Sequence, residues 1–545
     1  MRTLLTALAL ATLPPPALAA DNLPQQVAQV LAEAGPGTRW GVVVAESDGT
    51  EIFALDPEGR YMPASNTKLF TTAAAFWKMG WKMGWKMGDL DQPDVGARTS
   101  AYLIPGPNSG PKSGRAKVPD VVLYGRGDAR LSSAKDCKID CLNTLADDIA
   151  KRTRAKRTQA SRTRRVGNIT GDDTLFLDQR WSPGMSWNNI QTDSGTGVSA
   201  LSLDNNEAVV TVTPGKDGAP PLIDGPAYFT YENRAATYSK METATAASPV
   251  PAGTVTTSVE DLPKPIEFSR MPGSKRVRIM GAIKTDAPPV KLVLGIDDPA
   301  EYTAWAFARA LRARGVAVVG KVLVKHWSER KTESTRDSPA DITDVAALAG
   351  AMASEADDAA ARSHLAPLAE DLSIINKVSQ NLHAELLLRR LGAESGAGSG
   401  EVGGEGSIEG GQKVVTAMLT QAGLKPHQYF FADGSGMSSY NRVAPRAVVT
   451  FLRWTQSQPW GARFKATLPI GGVDGTLARR FKATALEGRI VAKTGTLNAT
   501  NALAGFLTTR SGKLLVFSVY ANDVPDAVKA TPLIDKALVL IAEAN

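Results

Sequence analysis

Only two cysteines and four histidines occur in this chain of 545 residues. Cys137 and Cys141 cannot staple a protein of this length, so the fold must rest on an ordinary apolar core. Their spacing of four suits a loop disulfide better than a bridge on a regular helix. His326, His364, His383 and His427 form no H-E-x-x-H or similar cluster, so no metal ligand set is indicated. Beyond the N-terminus no stretch reaches the ~18 consecutive apolar residues of a membrane span. Gly125 and Gly127 are not followed by a phosphate-loop pattern, and a nucleotide site is not supported. No cofactor is expected.

The N-terminus reads as a secretory leader over 1–20. Arg2 supplies the positive start, 4–13 the apolar stretch, and Ala17-Leu18-Ala19 a small-residue cleavage site near Ala20. The mature protein is expected to be exported, to a periplasm or its equivalent, and soluble. The net charge is +7, and much of it lies in the run 151–165. That run is either a solvated helix or loop, or a surface for peripheral contact with an anionic polymer or membrane. It has no accompanying aromatic platform, so nucleic acid is a poor partner.

The length allows two to four domains. Segments 40–46 and 51–55 read as strands around a Ser-Asp-Gly turn, and an apolar helix follows from 65. Trp77-Lys78-Met79-Gly80 is then repeated twice, to Gly88, either as a tandem expansion of the helix end or as an aromatic and cationic surface. From about 95 the texture turns to strands and charged helices, with a buried strand at 121–124 and β-rich stretches at 201–213 and 277–293. A helix is expected over 300–315 and a single strand over 316–325. Helices return over 365–375 and 381–391, joined by 376–380, and 392–411 reads as a flexible loop. Three antiparallel strands (490–493, 503–509, 513–520) and a closing helix from 527 end the chain.

Chemistry concentrates in three short motifs. Ser65-Asn66-Thr67-Lys68 opens the first apolar helix, where positions three apart share a face and Lys68 can take the Ser65 proton. Three other S-x-x-K matches, at Ser109, Ser132 and Ser328, sit among Pro, Gly or charge. Ser379-Gln380-Asn381 falls at a turn between two helices. Lys493-Thr494-Gly495 ends a strand and opens with the chain's one K-T-G. In that order, each on the expected element, the three match the serine acyl-transfer site of penicillin-recognising enzymes.

The chain resembles the D-alanyl-D-alanine carboxypeptidase/endopeptidases of the low-molecular-mass penicillin-binding proteins, the penicillin-binding protein 4-like group. Further stretches carry the resemblance: Gly171 onward, Asp433-Gly434-Ser435-Gly436-Met437-Ser438, and Gly472-Val473-Asp474-Gly475-Thr476-Leu477. Gln380 departs from the commoner Asp. The resemblance implies an α/β (α+β) transpeptidase/β-lactamase-like domain, an antiparallel sheet flanked by helices. It would be split into 21–94 and 345–545 by inserted domains: one over 95–189 and 291–344, and a β-rich one over 190–290.

It further implies that Ser65 is the nucleophile, Lys68 its base, Ser379 a proton relay, and Asn381 a holder of Lys68 and the substrate amide. Lys493, Thr494, Gly495 and Thr496 would bind substrate, with the backbone N–H of Ser65 and Thr496 as oxyanion hole. Partial burial and a neighbouring cation, Lys493, would lower the Lys68 pKa. Peptidoglycan peptides are the implied substrates and β-lactams the implied inhibitors. Two rivals use the same residues differently: a serine β-lactamase or esterase, for which no separate deacylating glutamate stands out, and a non-catalytic cell-wall binding protein.

Overall fold

The computed structural model describes residues 23–81, 90–105, 118–155, 164–239, 264–327, 361–362, 365–394 and 406–545. Five strands from both ends of the chain make one antiparallel sheet: β1 (Arg39–Glu46), β2 (Glu51–Leu55), β3 (Ile490–Leu497), β4 (Thr500–Thr508) and β5 (Leu514–Asn522), in the order β2-β1-β5-β4-β3. The middle five residues of β1 are all buried. A sheet with one wet face would alternate apolar and polar residues; an unbroken apolar run needs cover on both faces. Helices α1 (Leu23–Ala32) and α6 (Ala530–Ala544) cover one face, packing Val27, Leu31, Ile534 and Leu538 on Val42, Val44, Phe517 and Val519. Helices α2 (Thr67–Trp81), α3 (Asn381–Ala393), α4 (Ile408–Gln421) and α5 (Pro445–Gln456) cover the other, against Val43, Ala45, Val516 and Tyr520.

α2 is the central helix of that second layer. Leu69, Phe70, Ala73, Ala74, Ala75 and Phe76 are buried on all sides, as a helix apolar all round must be. Its first Trp-Lys-Met-Gly copy is put to use in packing. Trp77 Nε1 donates to Gln421 (2.8 Å) and Lys78 Nζ to the Leu391 carbonyl (2.7 Å). The remainder of the repeat, 82–88, lies outside the described residues, as do the leader and 156–163 of the basic run.

Between the two halves stands a second five-stranded sheet, in the order Val322–Trp327, Ile169–Leu177, Asp120–Tyr124, Ser100–Ile104, Ala361–Arg362. Helices Leu142–Ala155 and Pro299–Ala313 share its core. Three small sheets follow between Glu207 and Gly295.

Two expectations need correction. The single strand over 316–325 is two: Val316–Val318 pairs with Arg164–Val166, and Val322–Trp327 joins the second sheet. The break falls at Gly320, whose N–H donates to the Gly167 carbonyl (3.1 Å) and turns the chain. The helix from 365 starts at Leu368, after Pro367 in extended conformation, and does not stop at 375. It widens into a π-turn, Ile374–Val378, so most of the expected connector is helical and the turn narrows to Ser379 and Gln380. Cys137 and Cys141 form a disulfide in a loop, with Cα atoms 5.8 Å apart.

Candidate active site

Ser65 lies one step ahead of the expected α-helix, in the 3-10 turn Ala64–Asn66 that leads into α2. The turn starts from a strained residue, Ala64 at φ 47°. Two glycines let the surroundings close on it. A Cβ on Gly436 would stand 1.9 Å from the Ala64 carbonyl oxygen, and one on Gly495 would stand 2.6 Å from that of Pro63. The missing side chain of Gly495 therefore makes room for the protein's own turn.

Lys68, fully buried, directs its amine into a ring of acceptors: Ser65 Oγ at 3.0 Å, Asn381 Oδ1 at 2.7 Å and the Ser435 carbonyl at 2.6 Å. Burial lowers its pKa to about 7, while the charges of Asp433 and Glu385 pull the other way. The expected lowering of Lys68 by a neighbouring cation is corrected here: burial lowers Lys68, and the cation effect falls on Lys493. That amine is also fully buried and is held well below the usual lysine range, by burial first and by Lys68 second.

Lys493 reaches the same face of the sheet by strand alternation. It donates to Ser379 Oγ (2.8 Å) and to the Thr494 carbonyl (3.0 Å). Ser379 takes a left-handed conformation, φ 68°, at the tight turn between the π-turn and α3. Gln380 caps α3 by accepting from the Leu382 N–H (2.8 Å), the bond a shorter acidic side chain also makes at such positions. Asn381 opens α3; its Oδ1 faces Lys68 and its Nδ2 donates to the Ser194 carbonyl (3.2 Å), a residue from between the two halves.

β3 is an edge strand. The Gly471 N–H donates to the Ile490 carbonyl and the Ala492 N–H to the Pro469 carbonyl, each 2.9 Å, so even-numbered backbone groups point away from β4. The two-residue period sends the N–H groups of Thr494 and Thr496 out along the same edge. Thr494 Oγ1 also lies 2.7 Å from Thr476 Oγ1. Beside Thr496 opens a cleft of about 760 Å³, lined among others by Met62, Trp187, Met437, Tyr440 and Leu497.

Several residues here had no assigned role in the sequence. Glu385, Asp433, Ser435, Thr476 and Ser194 all touch the groups above. Glu385 and Arg389 did carry a signal: opposite charges four apart on a helix that also holds His383 and Arg390. The pair is buried, at 2.8 Å. Among the described residues no group of His, Cys, Asp and Glu is arranged to hold a metal ion.

The profile of the D-Ala-D-Ala carboxypeptidase 3 (S13) family matches residues 23–91, 107–344 and 340–544. The chain belongs to that family. The matched residues take in the second sheet and the small sheets as well as the five-stranded sheet built from both ends of the chain, and membership makes the protein a serine peptidase hydrolase. Among relatives, the D-alanyl-D-alanine carboxypeptidase of Actinomadura sp. (strain R39) is 30% identical over 502 residues, 89% of this chain and 78% of that one. The D-alanyl-D-alanine carboxypeptidase DacB of Haemophilus influenzae is 24% identical over 68% of each chain. The crystal structure of penicillin binding protein 4 (dacB) from Haemophilus influenzae shares this fold, with a TM-score of 0.68 at 20% identity, covering 94% of this chain and 97% of that one. A second structure of that protein, complexed with a novel β-lactam, gives a TM-score of 0.64.

Proposed function

We propose that this protein is a serine-type D-Ala-D-Ala carboxypeptidase/DD-endopeptidase, acting on peptidoglycan stem peptides and cross-links through an acyl-enzyme on Ser65, and that β-lactams acylate the same serine. One observation carries the reading: the Ser65 hydroxyl stands 3.0 Å from a fully buried lysine amine. Burial keeps a share of Lys68 neutral at neutral pH, as a base must be.

Lys68 takes the Ser65 proton as Oγ attacks the carbonyl of the penultimate D-alanine. The N–H groups of Ser65 and Thr496 receive the developing oxyanion; each such donor is worth about 2.7–4 kcal/mol of barrier. Ser379, in contact with Lys493, passes a proton to the leaving amine. Lys493 and Thr494, the latter backed by Thr476, bind the terminal carboxylate, and the stem peptide lies along the β3 edge as an added strand. Asn381 fixes Lys68 and meets the substrate amide. Water then hydrolyses the ester.

No described helix is long and apolar enough to cross a membrane. The leader-like sequence supports export, to the compartment where the substrate lies. The described ends of the basic run, Lys151 to Arg152 and Arg164 to Arg165, flank the second sheet and would serve peripheral contact with an anionic polymer or membrane surface. The reading is tested by digesting defined monomeric and cross-linked muropeptides and identifying products by mass. Released D-alanine and split cross-links support it; unchanged substrates, with active relatives as controls, refute it.

A further inference from the structure

Two buried carboxylates, neither of them in the three motifs, converge on one loop beside Lys68. Glu385 lies on α3 one turn beyond Asn381. Its Oε1 accepts from the N–H groups of Gly434 (3.0 Å) and Ser435 (2.9 Å). Its Oε2 accepts from Arg389 Nη1 (2.8 Å) and Ser182 Oγ (3.4 Å). Asp433 accepts from the N–H groups of Gly436 (2.9 Å) and Ser438 (2.6 Å) and from Asn441 Nδ2 (2.7 Å). Four N–H groups of the loop thus turn inward onto the acids, and its carbonyls face α2. That of Gly434 accepts from Thr71 Oγ1 (2.8 Å) and that of Ser435 from Lys68 Nζ (2.6 Å). Both acids are almost wholly buried, at 4% and 2% exposure, where a charge acts strongly on its neighbours.

We propose that Glu385 and Asp433 are positioning residues for acylation: they clamp the 434–438 loop, aim the Ser435 carbonyl at Lys68, and supply the negative charge felt by the Lys68 amine. The proposal rests on Lys68 being the base for Ser65. The charged groups around that amine are Lys493 from β3, Glu385 from α3, backed by Arg389, and Asp433 from the loop. Burial alone drives Lys68 down, and the two acids resist that fall. Asp433 is itself pushed up to about 6, by burial first and Glu385 second. The two titrations therefore overlap. As pH falls towards 6, Asp433 takes up a proton, a negative charge beside Lys68 is lost, and the amine becomes less basic. The neutral fraction of Lys68 then declines more gently than for an isolated lysine.

The test is the rate of penicillin acylation, measured by rapid mixing from about pH 5 to pH 9. The wild type is expected to show an acid limb shallower than one proton. In Asp433→Asn the limb should move about one pH unit lower and recover the one-proton slope. Glu385→Gln should move it the same way. A wild-type limb with full one-proton slope would overturn the proposal. So would variants whose rates fall equally at every pH, the mark of a merely structural role. If a variant fails to fold, the wild-type slope still decides. Lys68→Ala separates the two levels: if it acylates at the wild-type rate, the base assignment itself falls, whereas loss there with unmoved limbs in the other variants sinks the carboxylate proposal alone.

Discussion

Lys68 Nζ donates to Asn381 Oδ1 across 2.7 Å, joining residues 313 apart in sequence. The same amide reaches Ser194 with its nitrogen, so one side chain ties the central helix, the second motif and the intervening segment together. Asn381→Ala removes an acceptor from a buried amine, a bond worth about 1.5–3 kcal/mol when one partner is charged. Penicillin acylation should slow by roughly 10- to 100-fold, measured by stopped-flow, with the melting temperature changed little by comparison.

The pH dependence follows from Lys68. With a pKa near 7 it is mostly protonated below that value, so acylation should rise with pH and level off above about 7. Stability should follow the same group. The folded-state pKa values of Lys68 and Lys493 lie below the ordinary 10.5 of the unfolded chain. Between those values the unfolded chain binds more protons, and stability rises with pH. The penalty is full below the folded value and gone above 10.5. Urea titrations at about pH 7 and 9.5 should show a steeper rise for the wild type than for Lys68→Met.

Gly495→Ala tests the close seat of the serine turn. The new methyl would meet the Pro63 carbonyl oxygen at 2.6 Å and the Ala64 Cβ at 3.2 Å. Overpacking of this kind costs about 1–3 kcal/mol, and here it displaces the turn that carries Ser65. Acylation and thermal stability should fall together, and a variant with wild-type values for both would show that the turn yields freely.

A buried ion pair makes a prediction about stability alone. Arg390 Nη1 lies 2.8 Å from Asp94 Oδ2, both side chains under a tenth exposed. Asp94→Ala leaves the guanidinium short of its main counter-charge and should destabilise the protein by about 3–5 kcal/mol, read from chemical denaturation. The acid limb of acylation should stay where it is, since neither residue contacts Lys68.

The strands, the central helix and the three motifs were legible because each is written in consecutive residues. Ser65 and Lys68 share a face by helical geometry alone, and Lys493 sits on an apolar alternating strand. What could not be read was contact between segments far apart. Glu385 and Asp433 matter through a loop whose N–H groups they gather, and no local pattern announces such a cradle. The widened π-turn before Ser379 was hidden for a related reason. Its residues look like connector, and only the packing of Ile375 and Asn376 against neighbouring elements holds them helical. Gly495 falls among the substrate-binding residues the resemblance implies, and nothing local shows that its missing side chain makes room for a turn over 400 residues away. Gln380, a departure from the commoner Asp, keeps the capping bond to Leu382.

The central claim is that Ser65 is the nucleophile and Lys68 its base. The most direct measurement is to incubate the protein with penicillin, digest it, and locate the adduct by mass spectrometry. One penicilloyl group is expected, on the peptide containing Ser65, absent from Ser65→Ala and greatly slowed in Lys68→Ala. An adduct on any other serine, or undiminished labelling of Ser65→Ala, would contradict it.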